Sequence, residues 1–281
     1  MNEQYAVLPE YCGDDPSHIA RNLRGALVSL SSSKGVPHLG SCLSCIDMMV
    51  AAYWRAMHID PEQPKHQERD RFILSKGHAA KALYVCLAYR GFFEIDMLQD
   101  LAKEGGSLAE HPGPNCMPGV EAATGSLGHG LPIGVGQALA ARIQGLNYRV
   151  FVLMSDGECN EGSVWEAAML AASQKLGNLT VLIDYNGWQA TGRSDEVMAL
   201  GPLVDKWCAF GWSAVEIDGH DFEAVEKALN LAPPPDGKPR AIIGRTIKGK
   251  GISFMEDDNN WHYRIPNSNE VTAAFIELGL Q

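Results

Sequence analysis

Apolar positions along this chain recur with two periods, one helical and one belonging to buried strands. Over residues 17–32, Ile19, Leu23, Leu27 and Leu30 fall on one helical face, which predicts an amphipathic helix with Ser17 as its N-cap. A glycine- and proline-marked loop follows over 35–40, and then a second helix over 43–57. Residues 71–74 read as a short buried strand and 79–89 as a helix. Further on, two apolar runs at 148–154 and 179–183 flank a helical segment at 162–174, a β-α-β unit that implies parallel strands covered on both faces. Strands at 212–217 and 240–246 bracket another helix at 222–231. Between the halves, residues 104–127 are loop-rich, and a loop of that length inside a compact domain is usually functional. The helix after it carries small residues (Gly130, Gly134, Gly136, Ala138, Ala140, Ala141) that would let another helix or subunit come close. There is no internal repeat, and Pro233-Pro234-Pro235 reads as a rigid connection, not a linker. The expected fold class is α/β, a parallel sheet flanked by helices on both faces, in a single domain over residues 1–281 with an N-terminal helical extension.

Composition narrows the ligands. At 46% hydrophobic and 20% charged, the chain is too balanced for a disordered tail. Lys plus Arg is 23 against 34 for Asp plus Glu, a net charge of −11, which argues against nucleic acid or an anionic membrane as partner. A small ligand or another protein fits better, and an anionic ligand would have to be held by local dipoles or a metal ion. Cys12, Cys42, Cys45, Cys86, Cys116, Cys159 and Cys208 are scattered, with no signal peptide, which argues against a disulfide framework and for a reducing cytoplasm. Cys42 and Cys45 have C-x-x-C spacing without a second pair at zinc-finger distance, and read as two thiols on the first turn of a helix. No apolar run approaches the roughly 20 residues that span a bilayer.

The candidate chemistry lies where the first strand of the β-α-β unit ends. Met154 is followed by Ser155-Asp156-Gly157-Glu158, and the next strand ends in Asp184-Tyr185-Asn186-Gly187. One right-handed crossover separates them, so both ends fall on the same edge of the sheet, where ligands of open α/β folds bind. A carboxylate, an amide oxygen and nearby carbonyls form a hard-oxygen set suited to Mg²⁺, which takes its remaining ligands from phosphate and water. The helix start at Gly162 adds partial positive charge, and together these describe a magnesium diphosphate site. The same residues also suit a helix cap and an Asn-Gly turn.

The segment from Asp156-Gly157 to Asn186 resembles the thiamine diphosphate signature of the transketolase family. Further motifs similar to that family follow in order: Pro37-His38-Leu39-Gly40, the run Arg69 to His78 ending in Ser75-Lys76-Gly77-His78, His111-Pro112, the run Gly119 to Gly128, Thr246-Ile247-Lys248-Gly249-Lys250-Gly251 and Trp261-His262. The resemblance covers the N-terminal, diphosphate-binding half of a transketolase. It implies thiamine diphosphate and Mg²⁺ as cofactors, with Ca²⁺ or Mn²⁺ as substitutes. It implies Asp156, Asn186 and the Trp188 backbone oxygen as metal ligands. His78, Gly125, Ser126, Leu127, Asp156, Gly157, Glu158, Asn186 and His262 would bind the cofactor, and His38, His78, His111 and His262 would serve catalysis on a sugar or sugar phosphate. Three positions depart from the family pattern. Pro37 precedes His38 where glycine is common, Ser155 stands for the first glycine of Gly-Asp-Gly, and His129 stands where glutamine is usual.

In the family, a glutamate that activates the cofactor comes from a second domain, and no second α/β block follows Glu277. The resemblance therefore implies a split, cytoplasmic transketolase whose C-terminal subunit is a separate polypeptide, in an α2β2 heterotetramer. The alternatives are a component that passes its two-carbon fragment to a carrier protein, and a non-catalytic homologue. A nicotinamide site at Gly128, Gly130 and Gly134 fails, because Pro132 interrupts the glycines and no apolar strand precedes them.

Overall fold

A computed structural model describes residues 8–9, 13 and 15–280, so Cys12 lies outside the described residues. The first helix, α1 (Pro16–Lys34), is capped by Asp15 and not by Ser17. Pro16 takes the first helical position, where a missing N–H costs nothing, and the Asp15 carboxylate accepts the Ser17 N–H at 3.0 Å. The helix predicted over 43–57 begins earlier and is broken into α2 (Leu39–Ser44), α3 (Ile46–Val50) and a wide π turn at Ala51–Ala56. Every residue from 39 to 53 is buried, so no polar face was present to mark its start. Cys42 lies within α2 and Cys45 at its joint with α3, and both are buried.

The remaining elements are β1 (Arg71–Leu74), α4 (Ala80–Tyr89), α5 (Gly130–Gln144), β2 (Val150–Ser155), α6 (Gly162–Ser173), β3 (Leu179–Tyr185), α7 (Ser194–Val197), α8 (Leu203–Ala209), β4 (Ser213–Asp218), α9 (Phe222–Asn230), β5 (Arg240–Arg245) and α10 (Ser268–Leu278). All five predicted strands are present, and they form one wholly parallel sheet in the order β1-β2-β3-β5-β4. The short helices α7 and α8, and α10, were not predicted. The first two are too short for a helical period to show, whereas α10 carries a sequence signal, the capping box between Asn267 and Glu270.

Alternation along the central strands sorts the core onto two faces. Phe151, Leu153, Leu182 and Ile242 point to the side covered by α1 to α4 and α9, while Val150, Val152, Met154, Val181, Ile183 and Ile243 point to the side covered by α5, α6 and α8. β2 and β3 are buried on both faces, which is why they read as unbroken apolar runs. At Gly134 a Cβ would sit 2.6 Å from Val152 Cγ2, so this small residue lets α5 lie directly on β2. The sheet thus takes part of the small-residue stripe predicted to serve another helix or subunit.

Candidate functional site

β2 and β3 are neighbours, with Ser155 opposite Asp184, so Asp156 and Asn186 leave the sheet side by side at its carboxyl edge. Beside them opens a cavity of about 410 Å³, lined among others by His38, Lys76, His78, Gly125, Gly157, Asn186, Trp188, Gln189 and His262. Each lining group arrives from a different junction. β1 delivers Lys76, Gly77 and His78, the start of α2 delivers His38, and the turn Asn259–His262 delivers His262. At Gly77 a Cβ would lie 2.5 Å from the Thr124 carbonyl, so only glycine lets the strand of loop carrying Gly125 and Leu127 close over this edge.

Asp156 is fully buried. Its Oδ1 accepts the Gly157 N–H at 2.9 Å, and its Oδ2 accepts the Gly187 N–H at 2.9 Å and the Ser194 hydroxyl at 2.7 Å. All three donors are neutral, and no cation pairs with the carboxylate among the described residues. Burial pushes its pKa up to about 6, a rise that the Ser194 hydrogen bond only partly offsets and the nearby Asp184 charge reinforces. Asn186 is oriented from both ends of its amide. Its Oδ1 accepts the Trp188 N–H at 3.0 Å, and its Nδ2 donates to Asp184 Oδ2 at 3.1 Å. Asp184 also holds the Lys76 ammonium at 2.6 Å and accepts the Ser44 hydroxyl at 2.6 Å and the Thr246 hydroxyl. Burial works against both charges of the Lys76–Asp184 pair, and their contact overrides it, keeping the carboxylate's pKa low and the ammonium's high.

Three imidazoles converge over this floor. The ring centroids of His38 and His262 are 5.1 Å apart, those of His38 and His78 5.4 Å, and those of His78 and His262 5.8 Å. The His38 N–H donates to the His262 carbonyl at 2.8 Å, locking two segments distant in sequence. All three rings are held neutral. Burial and then Lys81 take His38 down to about 4, burial and then Lys248 take His262 down to about 3, and burial and then Lys76 hold His78 well below its ordinary value. The Lys248 ammonium lies 3.0 Å from His262 Nδ1 and is itself lowered to about 8, mainly by burial.

The donor chemistry fits a small divalent cation with an anionic ligand. One buried carboxylate lacks a compensating charge, and an amide oxygen with a lone pair to spare stands beside it. No group of three or more His, Cys, Asp or Glu side chains among the described residues is placed to hold a metal alone, which suits an ion that takes its other ligands from phosphate and water. Buried in the same cavity, Gln189 Nε2 has no hydrogen-bond partner, an orphaned donor of the kind an anionic oxygen satisfies. Its side chain rests on Gly157, where a Cβ would come within 2.8 Å of Gln189 Cγ.

Of the residues expected at the site, His38, His78, Gly125, Leu127, Gly157, Asn186, Trp188 and His262 line the cavity, and Asp156 lies fully buried beside it. His111 is exposed, with its ring 6.5 Å from that of His38, and Ser126 is exposed beside the cavity without lining it. Glu158 does not line it either. Its carboxylate is buried, accepting the Gly128 N–H at 2.8 Å, the Ser155 N–H at 3.3 Å and the Ser75 hydroxyl, so it acts on the site only through those neighbours. The start of α6 is separated from Asp156 by the turn Gly157–Asn160. Reading the residues singly missed Lys76, Lys248, Asp184 and Gln189. Lys76, Lys248 and Asp184 all lie within the sequence motifs, and Asp184 carries a signal of its own as a charged residue in a strand buried on both faces.

The model of the transketolase thiamine diphosphate binding domain matches residues 18–281. The chain belongs to the transketolase family. It is 40% identical to one of the subunits of an apulose-4-phosphate transketolase from Phocaeicola vulgatus, an alignment covering 91% of this chain and 90% of that one. It is 42% identical to a 6-deoxy-6-sulfo-D-fructose transketolase subunit of a Clostridium species, covering 94% of this chain and 96% of that one. Among solved structures, a Pichia stipitis transketolase variant superposes with a TM-score of 0.89 at 27% identity. That alignment covers 96% of this chain and 41% of the Pichia transketolase, so this chain spans about two-fifths of the solved enzyme's length.

Proposed function

We propose that this transketolase-family chain is the diphosphate-binding subunit of a split transketolase, moving a two-carbon ketol unit from a ketose to an aldose acceptor. The observation that carries the reading is the cavity lined by Asn186 and by three imidazoles held neutral, with the buried Asp156 carboxylate, paired with no cation among the described residues, directly behind its Gly157 wall. Asp156, the Asn186 side chain and the Trp188 backbone oxygen would hold Mg²⁺, and Ca²⁺ or Mn²⁺ would fit the same hard-oxygen set. His78, Gly157 and Asn186 would meet the diphosphate, Gly125, Ser126 and Leu127 the rings, and Glu158 would hold Gly128 and Ser155 in place behind them. Thiamine diphosphate held there would supply the carbon nucleophile that no side chain provides, with a metal ion on Asp156 and Asn186 offsetting its phosphate charge.

This chain's own residues then act on the sugar. A neutral imidazole both donates to and accepts from hydroxyl groups, so His38 and His262, with His111 at the rim, orient a polyhydroxylated substrate and exchange protons with its oxygens. The overall charge of −11 does not exclude an anionic ligand here, because Lys248, paired with no carboxylate among the described residues, is buried 3.0 Å from the cavity-lining His262. Two relatives matched nearly from end to end are named as subunits, which supports a partner in the form of a separate C-terminal subunit, in an α2β2 assembly, and a cytoplasmic setting suits the scattered free thiols. Among the described residues, no helix is long and apolar enough to cross a membrane.

Calorimetric titration of thiamine diphosphate into the chain purified with its partner subunit tests the reading. Binding should require Mg²⁺ and be lost with chelator and in Asp156→Ala, and an unchanged affinity in that variant would contradict the metal assignment.

A further inference from the structure

Lys81 is the buried charge for which the proposed chemistry has no use. It sits in the first turn of α4 and is 1% exposed, and it makes no ion pair with any described carboxylate. A cation there also opposes the positive end of the helix dipole. Its hydrogen-bond partners are three oxygens, the Pro37 carbonyl at 2.6 Å, the Val36 carbonyl at 2.7 Å and the Ser31 hydroxyl at 3.3 Å, and the Glu110 charge favours it from beyond contact. A cation buried so expensively, with only neutral acceptors in direct contact, marks a position where its geometry is needed.

The gripped carbonyls belong to the residues just before His38. His38 adopts a left-handed backbone, φ 70°, that an L-residue rarely takes, and Pro37 restricts the approach to it. We propose that Lys81 is a positioning residue: by holding the Val36 and Pro37 carbonyls, it fixes the His38 imidazole against the cavity for contact with a sugar hydroxyl. The inference rests on the transketolase reading for its sugar, and on geometry alone for the clamp. The groups facing His38 are His78, His111, His262 and Tyr263 by ring contact, and Lys81 and Lys248 by charge. Lys81 thus has a second effect: its charge disfavours protonation of the ring it positions.

The test uses the full chain labelled with ¹³C and ¹⁵N at histidine, His38 being assigned by its loss in His38→Asn. Lys81→Met removes charge and donors, and Lys81→Gln removes the charge but keeps an amide donor. Wild-type His38 should titrate near pH 4. Both variants should raise that midpoint by about one unit or more. With the partner subunit present, Lys81→Met should raise KM for the ketose about tenfold and leave thiamine diphosphate affinity within about twofold. Because the lost charge alone moves the midpoint, the KM decides the clamp: a ketose KM in Lys81→Met within about twofold of wild type overturns the proposal. Wild-type trans-hydrogen-bond couplings from the lysine ¹⁵Nζ to the Val36 and Pro37 carbonyl carbons without any ketol transfer support the clamp and count against the transketolase reading. Should neither variant fold, the wild-type chain decides: lysine ¹⁵Nζ spectra should show a slowly exchanging ammonium with trans-hydrogen-bond couplings to the Val36 and Pro37 carbonyl carbons, and a fast-exchanging, uncoupled one overturns it.

Discussion

Lys76 and Asp184 meet at 2.6 Å with neither side chain exposed, and the same carboxylate accepts the Asn186 amide at 3.1 Å. One buried ion pair therefore fixes both a cation beside the cavity and the proposed metal-binding amide. Removing one partner leaves the other charge buried and unpaired, which costs roughly 3–5 kcal/mol. Asp184→Ala should lose about that much in urea unfolding and lose magnesium-dependent cofactor binding with it. A loss under about 1 kcal/mol would mean that the pair does not anchor this edge of the sheet.

Asp156 shows the opposite relation between stability and function. Its folded pKa, about 6, lies above the unfolded value of 3.8, so the folded state favours the proton. That contribution is complete below 3.8 and is lost as pH rises through 6. Without metal, Asp156→Asn should therefore stabilise the chain at neutral pH by on the order of 3 kcal/mol, with the advantage shrinking as pH falls from 6 to 3.8 and gone below that, while abolishing Mg²⁺ binding. Thermal melts with chelator at several pH values read this directly, and a variant less stable than wild type at pH 7 would contradict it.

The histidines titrate with the other sign. Depressed to about 4 and about 3, His38 and His262 contribute stability above the ordinary imidazole value of 6.5 that is lost as pH falls through those midpoints. The stability difference between wild type and His262→Gln should accordingly shrink or reverse in wild type's disfavour from pH 6.5 downward. A difference flat with pH over that interval would show a ring free to protonate.

Gln189 gives a test that does not touch the proposed metal ligands' side chains. An orphaned donor that an anionic oxygen satisfies is worth roughly 1–2 kcal/mol, so Gln189→Leu should weaken thiamine diphosphate binding about tenfold, and Gln189→Glu further through repulsion. Equal affinities in the three proteins would place the amide away from the ligand.

Much of this architecture was legible because parallel strands advertise themselves. Residues 150–155 and 179–185 are buried on both faces, and the crossover rule put Asp156 and Asn186 on one edge of the sheet, adjacent or one strand apart, a choice that the pairing of β2 with β3 decides. Helix starts were less legible where burial is complete, as at α2, or where a preceding residue takes the cap, as Asp15 does. The supporting groups were hidden for a different reason. Lys81 lies in a helix whose neighbours are apolar and acts on carbonyls more than forty residues away, a relation that spacing does not encode. Glu158, two residues from Asp156 in sequence, turns to Gly128 because a short helical turn intervenes, a direction that sequence spacing does not encode.

The most direct test of the central claim is ketol transfer by the purified chain alone and together with its C-terminal partner subunit, with thiamine diphosphate, Mg²⁺ and a panel of ketose donors. The account predicts no turnover by the chain alone and restored two-carbon transfer in the mixture. Transfer at ordinary enzyme rates by the chain alone, or none from any ketose with the partner present, would contradict it.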